Sequence, residues 1–194
     1  DRYRSRGIEV MAVEAFHRFE FGDENRLIIL ANDGGPFLSK DDGDSWSYLA
    51  DKMQYYPPSG GHTTDIYAVA DRKNNGAIEV YAAVSHTHQP HYVSHMLKSL
   101  DGGQTWQTAH NGLPEDGEII FMTTVRRDAG DIIYAAVTES PSSTKYQGIW
   151  YLPANKSTWE KLGSSFLDDQ GMVINGTDLR FEKVISKEGE HVLF

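Results

Sequence analysis

The chain has 194 residues, 39% of them hydrophobic and 11% aromatic, enough to bury one core. Its formal net charge of −10 argues against nucleic acid or an anionic membrane as a partner, since both require a basic footprint. The absence of cysteine excludes a disulfide framework, a zinc finger and a thiol nucleophile, and no apolar run approaches the roughly 18 residues of a membrane span.

The opening DRYRSRGIEV has no initiator Met and no apolar signal core, and is expected to be an internal or processed start. From there the chain reads as short runs rich in Val, Ile, Tyr and Phe, bounded by Gly, Asn and Asp, with no sustained helical period. The runs come in fours. Strand A is expected at 11–18, 66–71, 119–126 and 179–186, and strand B at 26–31, 77–84 and 131–138. Strand C is expected at 36–40, 93–100 and 148–153, and strand D at 45–49, 105–108 and 158–162. EVYAAV and IIYAAV mark the same place in two copies, and Trp46, Trp106 and Trp159 set spacings of 60 and 53 residues. A four-stranded antiparallel unit returning at this spacing predicts an all-β fold, a β-propeller with blades at about 8–50, 65–109 and 118–162. A fourth blade starts at about 178–194, so three and a half blades form an incomplete ring. The ring is expected to close with further blades of the same chain or with a second chain.

Two of the C–D junctions carry the same eight-residue pattern, SKDDGDSW at 39–46 and SLDGGQTW at 99–106, and ANKSTW ending at Trp159 keeps only its last residues. The pattern resembles the Asp box (BNR repeat) of β-propellers such as sialidases, sortilin-type domains, photosystem II assembly factors and family 74 glycoside hydrolases, and the likeness extends over nearly the whole chain. The residues concerned are Ser39, Asp41, Gly43 and Trp46, then Ser99, Asp101, Gly103 and Trp106, with Trp159 in the third copy. Their chemistry is that of a turn: Asp accepts backbone N–H groups, Gly supplies positive φ, and Trp packs under the hairpin to seal one blade to the next. The resemblance implies that these boxes lie on the face opposite the ligand.

The B–C and D–A connections would then form the binding face. They include the segments 32–35, 85–92 (SHTHQPHY), 139–147, 50–65 (ADKMQYYPPSGGHTTD), 109–117 and 163–178. On them stand Tyr55, Tyr56, His62, His86, His88, His91, Tyr92 and Tyr146, rings suited to sugar or peptide contact. HTHQPH suggests metal chemistry, but with no carboxylate at ligand spacing no metal is assigned, and Asp168 and Asp169 lack calcium-loop spacing. No cofactor is expected.

Sialidase chemistry lacks its Phe-Arg-Ile-Pro motif, and Arg2, Arg4 and Arg6 stand without the rest of that pattern. The family 74 resemblance implies a catalytic Asp at NDGG, where Asp33 stands, with Asn32 in place of Thr and one residue fewer before Gly-Gly. Inverting hydrolysis needs a second carboxylate, which in that family comes from a distant blade. The expected function is an extracellular or periplasmic scaffold that binds protein or glycan, and the alternative is a family 74-like hydrolase of a β-glucan. Two glycosylation sequons occur, at Asn155 and Asn175.

Overall fold

A computed structural model describes residues 12–32, 35–49, 52–53, 64–88, 91–115, 117–138, 148–162, 182–186 and 189–193. Every regular element among them is a β-strand. The first sheet is β1 (Ala12–Phe21), β2 (Glu24–Asn32), β3 (Gly35–Ser39) and β4 (Ser47–Tyr48). The second is β5 (Thr64–Asn74), β6 (Ala77–His88), β7 (His91–Ser99) and β8 (Gln107–Thr108). The third is β9 (Glu118–Val125), β10 (Ile132–Thr138), β11 (Gly148–Leu152) and β12 (Glu160–Leu162). A hairpin of β13 (Glu182–Ser186) and β14 (Gly189–Leu193) follows. Each four-stranded sheet is an antiparallel meander in chain order.

Local chemistry explains the turns. Asn75 and Gly76 both take positive φ, 49° and 84°, the requirement of the two-residue turn that matches strand twist. A bulge recurs in the first strand of every sheet, between Val13 and Ala15, between Ile66 and Ala68, and between Ile119 and Phe121. The extra residues, 14, 67 and 120, are spaced 53 apart. Aligned on these bulges, the cross-strand pairs Phe19↔Arg26, Arg72↔Glu79 and Val125↔Ile132 are equivalent.

The sheets pack face to face. Phe19, Ile28, Leu38 and Leu49 of the first meet Val69, Val80, Ala82, Val84 and Leu97 of the second. Ala70, Tyr81, Ala83 and Met96 of the second meet Ile119, Met122, Ile133, Ala135 and Trp159 of the third. Successive strand residues serve opposite faces: Val80, Ala82 and Val84 look one way, Tyr81 and Ala83 the other. The middle sheet is therefore apolar on both faces, and its B strand reads as a continuous hydrophobic run.

Two expectations change. The last strands are shorter than expected, starting at Ser47 and Gln107, because the N–H groups of Ser45 and Thr105 donate to Asp41 and Asp101 inside the turn instead of joining a ladder. The larger change concerns SHTHQPHY. It is no loop: β6 runs on to His88 and β7 begins at His91. The pairs Ala31↔Gly35, Val84↔His95 and Val137↔Gly148 are equivalent and close the B–C ladder of the first and third sheets among the described residues. In the second sheet four further pairs follow: Ser85↔Ser94, His86↔Val93, Thr87↔Tyr92 and His88↔His91. At about 3.3 Å per residue, this arm extends about 13 Å past the last described rungs of its neighbours. β5 accompanies it as far as Thr64↔His86.

Candidate functional site

The two ends of the sheets differ in chemistry. At one end lie the A–B and C–D turns. In the Ser39–Trp46 turn, Ser39 Oγ accepts the Gly43 N–H at 2.8 Å and donates to Asp41 Oδ1 at 2.8 Å. Asp41 Oδ1 accepts the Ser45 N–H at 2.8 Å, and Trp46 Nε1 donates to Gly43 O at 3.0 Å. The Ser99–Trp106 turn repeats this set, with Gly103 N on Ser99 Oγ at 2.8 Å, Thr105 N on Asp101 Oδ1 at 2.9 Å, and Trp106 Nε1 on Gly103 O at 3.0 Å. Hydrogen bonds from Ser45 hold Asp41 below the usual aspartate range. For Asp101, burial works upward, but the bonds from Thr105 and Ser99 outweigh it and the net direction is down. Both carboxylates are fully engaged as turn acceptors, which leaves them no part as general acids at neutral pH.

The tryptophans divide differently from the expectation. Trp46 and Trp106 fold back on their own turns and stay half-exposed, although Trp106 also packs against the core between the first two sheets. Trp159, from the copy without an acid, is the deeply buried one, 2% exposed, edge-on to Tyr81, with Nε1 on Ala109 O and its N–H on Asn111 O. In that third turn Asn155 takes a positive φ of 62°.

Two arginines, which no local motif marks, lock each sheet to the next sheet's turn. Arg26 donates from Nη1 to the carbonyls of Asp101 and Gly102 at 2.8 and 2.9 Å. Arg72, 1% exposed, donates to Pro153 O and Lys156 O at 3.0 and 2.7 Å, and from Nε to Glu79 Oε2 at 2.7 Å. They occupy opposite members of equivalent cross-strand pairs, Arg26 on β2 and Arg72 on β5.

Where the three sheets meet near this end, a polar cleft of about 420 Å³ is lined by Arg18, Glu20, Asp71, Lys73, Arg126 and Asp131, among others. Arg126 donates to Asp71 Oδ2 and Asp131 Oδ2 at 2.6 Å each, and His17 Nε2 donates to Asp71 Oδ1 at 2.8 Å. Burial pushes Asp71 up, but the His17 hydrogen bond and the Arg126 charge prevail and hold it low. The cluster is an ionised staple across three sheets, with its cation matched by two carboxylates. Among the described residues no group of three or more His, Asp or Glu side chains is arranged to hold a metal ion.

At the opposite end stands the β6–β7 arm. It places His88 directly across from His91, His86 across from Val93 and Tyr92 across from Thr87. The nominated Asp33, Tyr55, Tyr56, His62 and Tyr146 lie outside the described residues, as do Arg2, Arg4, Arg6, Asp168, Asp169 and Asn175. The 109–117 connection, expected as a ligand loop, is built into the sheets. His110 Nδ1 accepts the Met96 N–H at 3.2 Å and Nε2 lies 2.9 Å from Pro114 O, which assigns the proton to Nε2. Ser94 N donates to Gly117 O at 3.1 Å, and Ser94 Oγ accepts the Ile119 N–H at 2.8 Å.

No family model and no curated protein matches the chain. Among solved structures it is similar to a Niastella koreensis GH74 enzyme, at 18% identity and a TM-score of 0.45, over 70% of this chain and 19% of that one. It is also similar to YCF48 bound to D1 peptide, at 13% identity and a TM-score of 0.44, over 86% of this chain and 48% of that one. The chain thus spans about a fifth of the length of the first and about half of the second. Among the described residues no helix is long and apolar enough to cross a membrane.

Proposed function

We propose that the chain is part of a β-propeller that serves as a binding scaffold outside the cytoplasm, taking a protein or glycan at the arm end of its sheets. The observation that carries this reading is the arm itself, four residue pairs longer than the described ladders beside it and bearing His86, His88, His91 and Tyr92 in sequence. At the turn end, Asp41 and Asp101 accept N–H groups of their own turns, Arg26 donates to backbone carbonyls and Arg126 pairs with Asp71, so that end offers its polar groups to the fold. A rigid sheet carrying a projecting hairpin is a general way to present contact residues. Tyr55, Tyr56, His62 and Tyr146 belong to the same reading as contacts on neighbouring connections.

The test is a glycan array and a peptide array probed with the chain and with a His88→Ala, Tyr92→Ala variant. Signal present for the parent and lost in the variant supports the reading. A signal indifferent to the change moves the binding site away from the arm.

A sequence match favours a second reading. Asp33 stands in NDGG, where the family 74 resemblance would put a catalytic acid. Reducing-sugar release from xyloglucan, abolished by Asp33→Ala, would establish hydrolysis; release unchanged by that substitution would remove Asp33 from the chemistry.

A further inference from the structure

We propose that the cleft between the A–B turns of the second and third sheets is a binding site for a small ligand carrying one oxyanion group, a carboxylate or a phosphate, with Lys73 and Arg127 as its cations and Asn75 and Asn155 as amide donors. The cleft measures about 360 Å³, a size common among small-molecule sites. A comparison of the two sheet junctions explains it. Aligned on the bulges, Phe21, Asn74 and Arg127 are equivalent. At the first junction Phe21 packs against the core, its ring centroid lies 4.3 Å from the Arg26 guanidinium, and a Cβ on Gly102 would meet it at 2.8 Å. At the second junction the corresponding residue is Asn74, whose side chain turns to Glu79, Nδ2 donating to Oε1 at 3.1 Å. Asparagine in place of the ring leaves the space open, and polar groups line it.

Donors prevail among those groups. Among the described residues, the side chains of Lys73, Asn75, Arg127 and Asn155 have no hydrogen-bond or ion-pair partner. Asp131 is already matched, by Arg126 Nη1 at 2.6 Å and the Lys73 N–H at 2.7 Å. Asp128 lines the cleft without a partner among the described residues, so two unmatched cations face one unmatched carboxylate. A monoanion completes the balance. A guanidinium and an ammonium suit carboxylate or phosphate oxygens, and the two amides add neutral donors. Asn155 stands where the other turns carry Asp42 and Gly102, in the copy that has no acid of its own. Its Nδ2 lies 3.9 Å from where a Gly130 Cβ would be, beside the A–B turn of its own sheet. The site lies at the end of the sheets away from the arm and stands or falls separately from the protein or glycan reading.

The experiment titrates the isotope-labelled whole chain with inorganic phosphate and with glucuronate at low ionic strength, followed by amide NMR. Saturable shifts of the Asn75 and Asn155 side-chain amides are expected from at least one of them, and the one that saturates names the oxyanion. A net charge of −10 opposes anions at long range, so a millimolar Kd is expected. The Lys73→Gln, Arg127→Gln variant should bind about tenfold more weakly. Both residues are exposed, so its melting temperature should match the parent's. Asn155→Asp keeps a residue type that tolerates the φ of 62° and adds a carboxylate to the cleft, and should abolish binding. Lys161→Gln removes a charge beside Gly148, at the other end of the third sheet, and should leave the Kd unchanged. No saturable shift with either probe, an unchanged Kd in the folded cleft variants, or an equal loss in Lys161→Gln overturns the proposal.

Discussion

The turns at Ser39–Trp46 and Ser99–Trp106 make the same internal hydrogen bonds, yet differ at their fourth residue, Asp42 in one and Gly102 in the other. Both take positive φ, 56° and 68°, so backbone conformation does not account for the difference. The neighbour does. A Cβ on Gly102 would lie 2.2 Å from Arg26 Nη1 and 2.8 Å from the Phe21 ring. Among the described residues no arginine donates to the Asp42 carbonyl; its side chain is 54% exposed and pairs outward with Arg18. The pair shows that one turn chemistry serves two settings, and that the variable residue records which sheet lies against it.

Substitutions should widen or erase that contrast. The largest effect is expected from Arg72→Leu, which takes the guanidinium from buried Glu79, leaving it Tyr81, Asn74 and Lys98, and leaves Pro153 O and Lys156 O without that donor; about 3–5 kcal/mol should be lost in urea unfolding. Gly102→Asp, making the second turn's fourth residue like the first's, should cost about 2–4 kcal/mol through displacement of Arg26 and Phe21. In Gly102→Asp, Arg26→Ala the part of that loss due to Arg26 should disappear while the Phe21 contact remains, a coupling read by a double-mutant cycle. Ser99→Ala removes the acceptor for the buried Gly103 N–H and should cost about 1–3 kcal/mol. The reciprocal change Asp42→Gly should move stability by less than about 0.5 kcal/mol, as exposed ion pairs contribute little.

Acid tests what the two turns share. Asp41, Asp101 and Asp71 are all held below the ordinary aspartate value of 3.8, so the folded chain binds fewer protons than the unfolded one near that pH. Their stabilisation is complete in the neutral range and is lost as pH falls below 3.8 towards the folded values. Melting temperature measured from pH 6 down to pH 2 should fall in that window, and Asp101→Asn should lessen the slope.

The strand order and the two acid-bearing turns were legible because their determinants are local. Alternation of Val, Ile and Tyr gives the strand, and Ser39, Asp41 and Ser45 reach one another within a few residues. The arm was not legible in SHTHQPHY, where Ser, His, Gln and Pro read as loop; β5, pairing Asp65 with Ser85 and Thr64 with His86, continues the sheet from outside the segment. Nothing local marks Arg26 and Arg72, because their partners lie 75 to 84 residues away. ANKSTW is the weakest copy of the turn in sequence, yet burial beside Tyr81 makes Trp159 the best-packed tryptophan of the three. Most of the nominated aromatic site stands on connections whose chemistry is legible in sequence as ring content alone.

The arginine grips bear on how the chain unfolds. Because Arg26 belongs to the first sheet and its acceptors to the second, neither sheet owns the interaction. Each repeat stabilises itself only in part and leans on its predecessor, the nearest-neighbour behaviour of a one-dimensional array. Loosening should therefore pass from one sheet to the next in order. Amide exchange at Gly103 would report the state of Arg26, a residue 77 positions upstream, before it reported anything about its own strand.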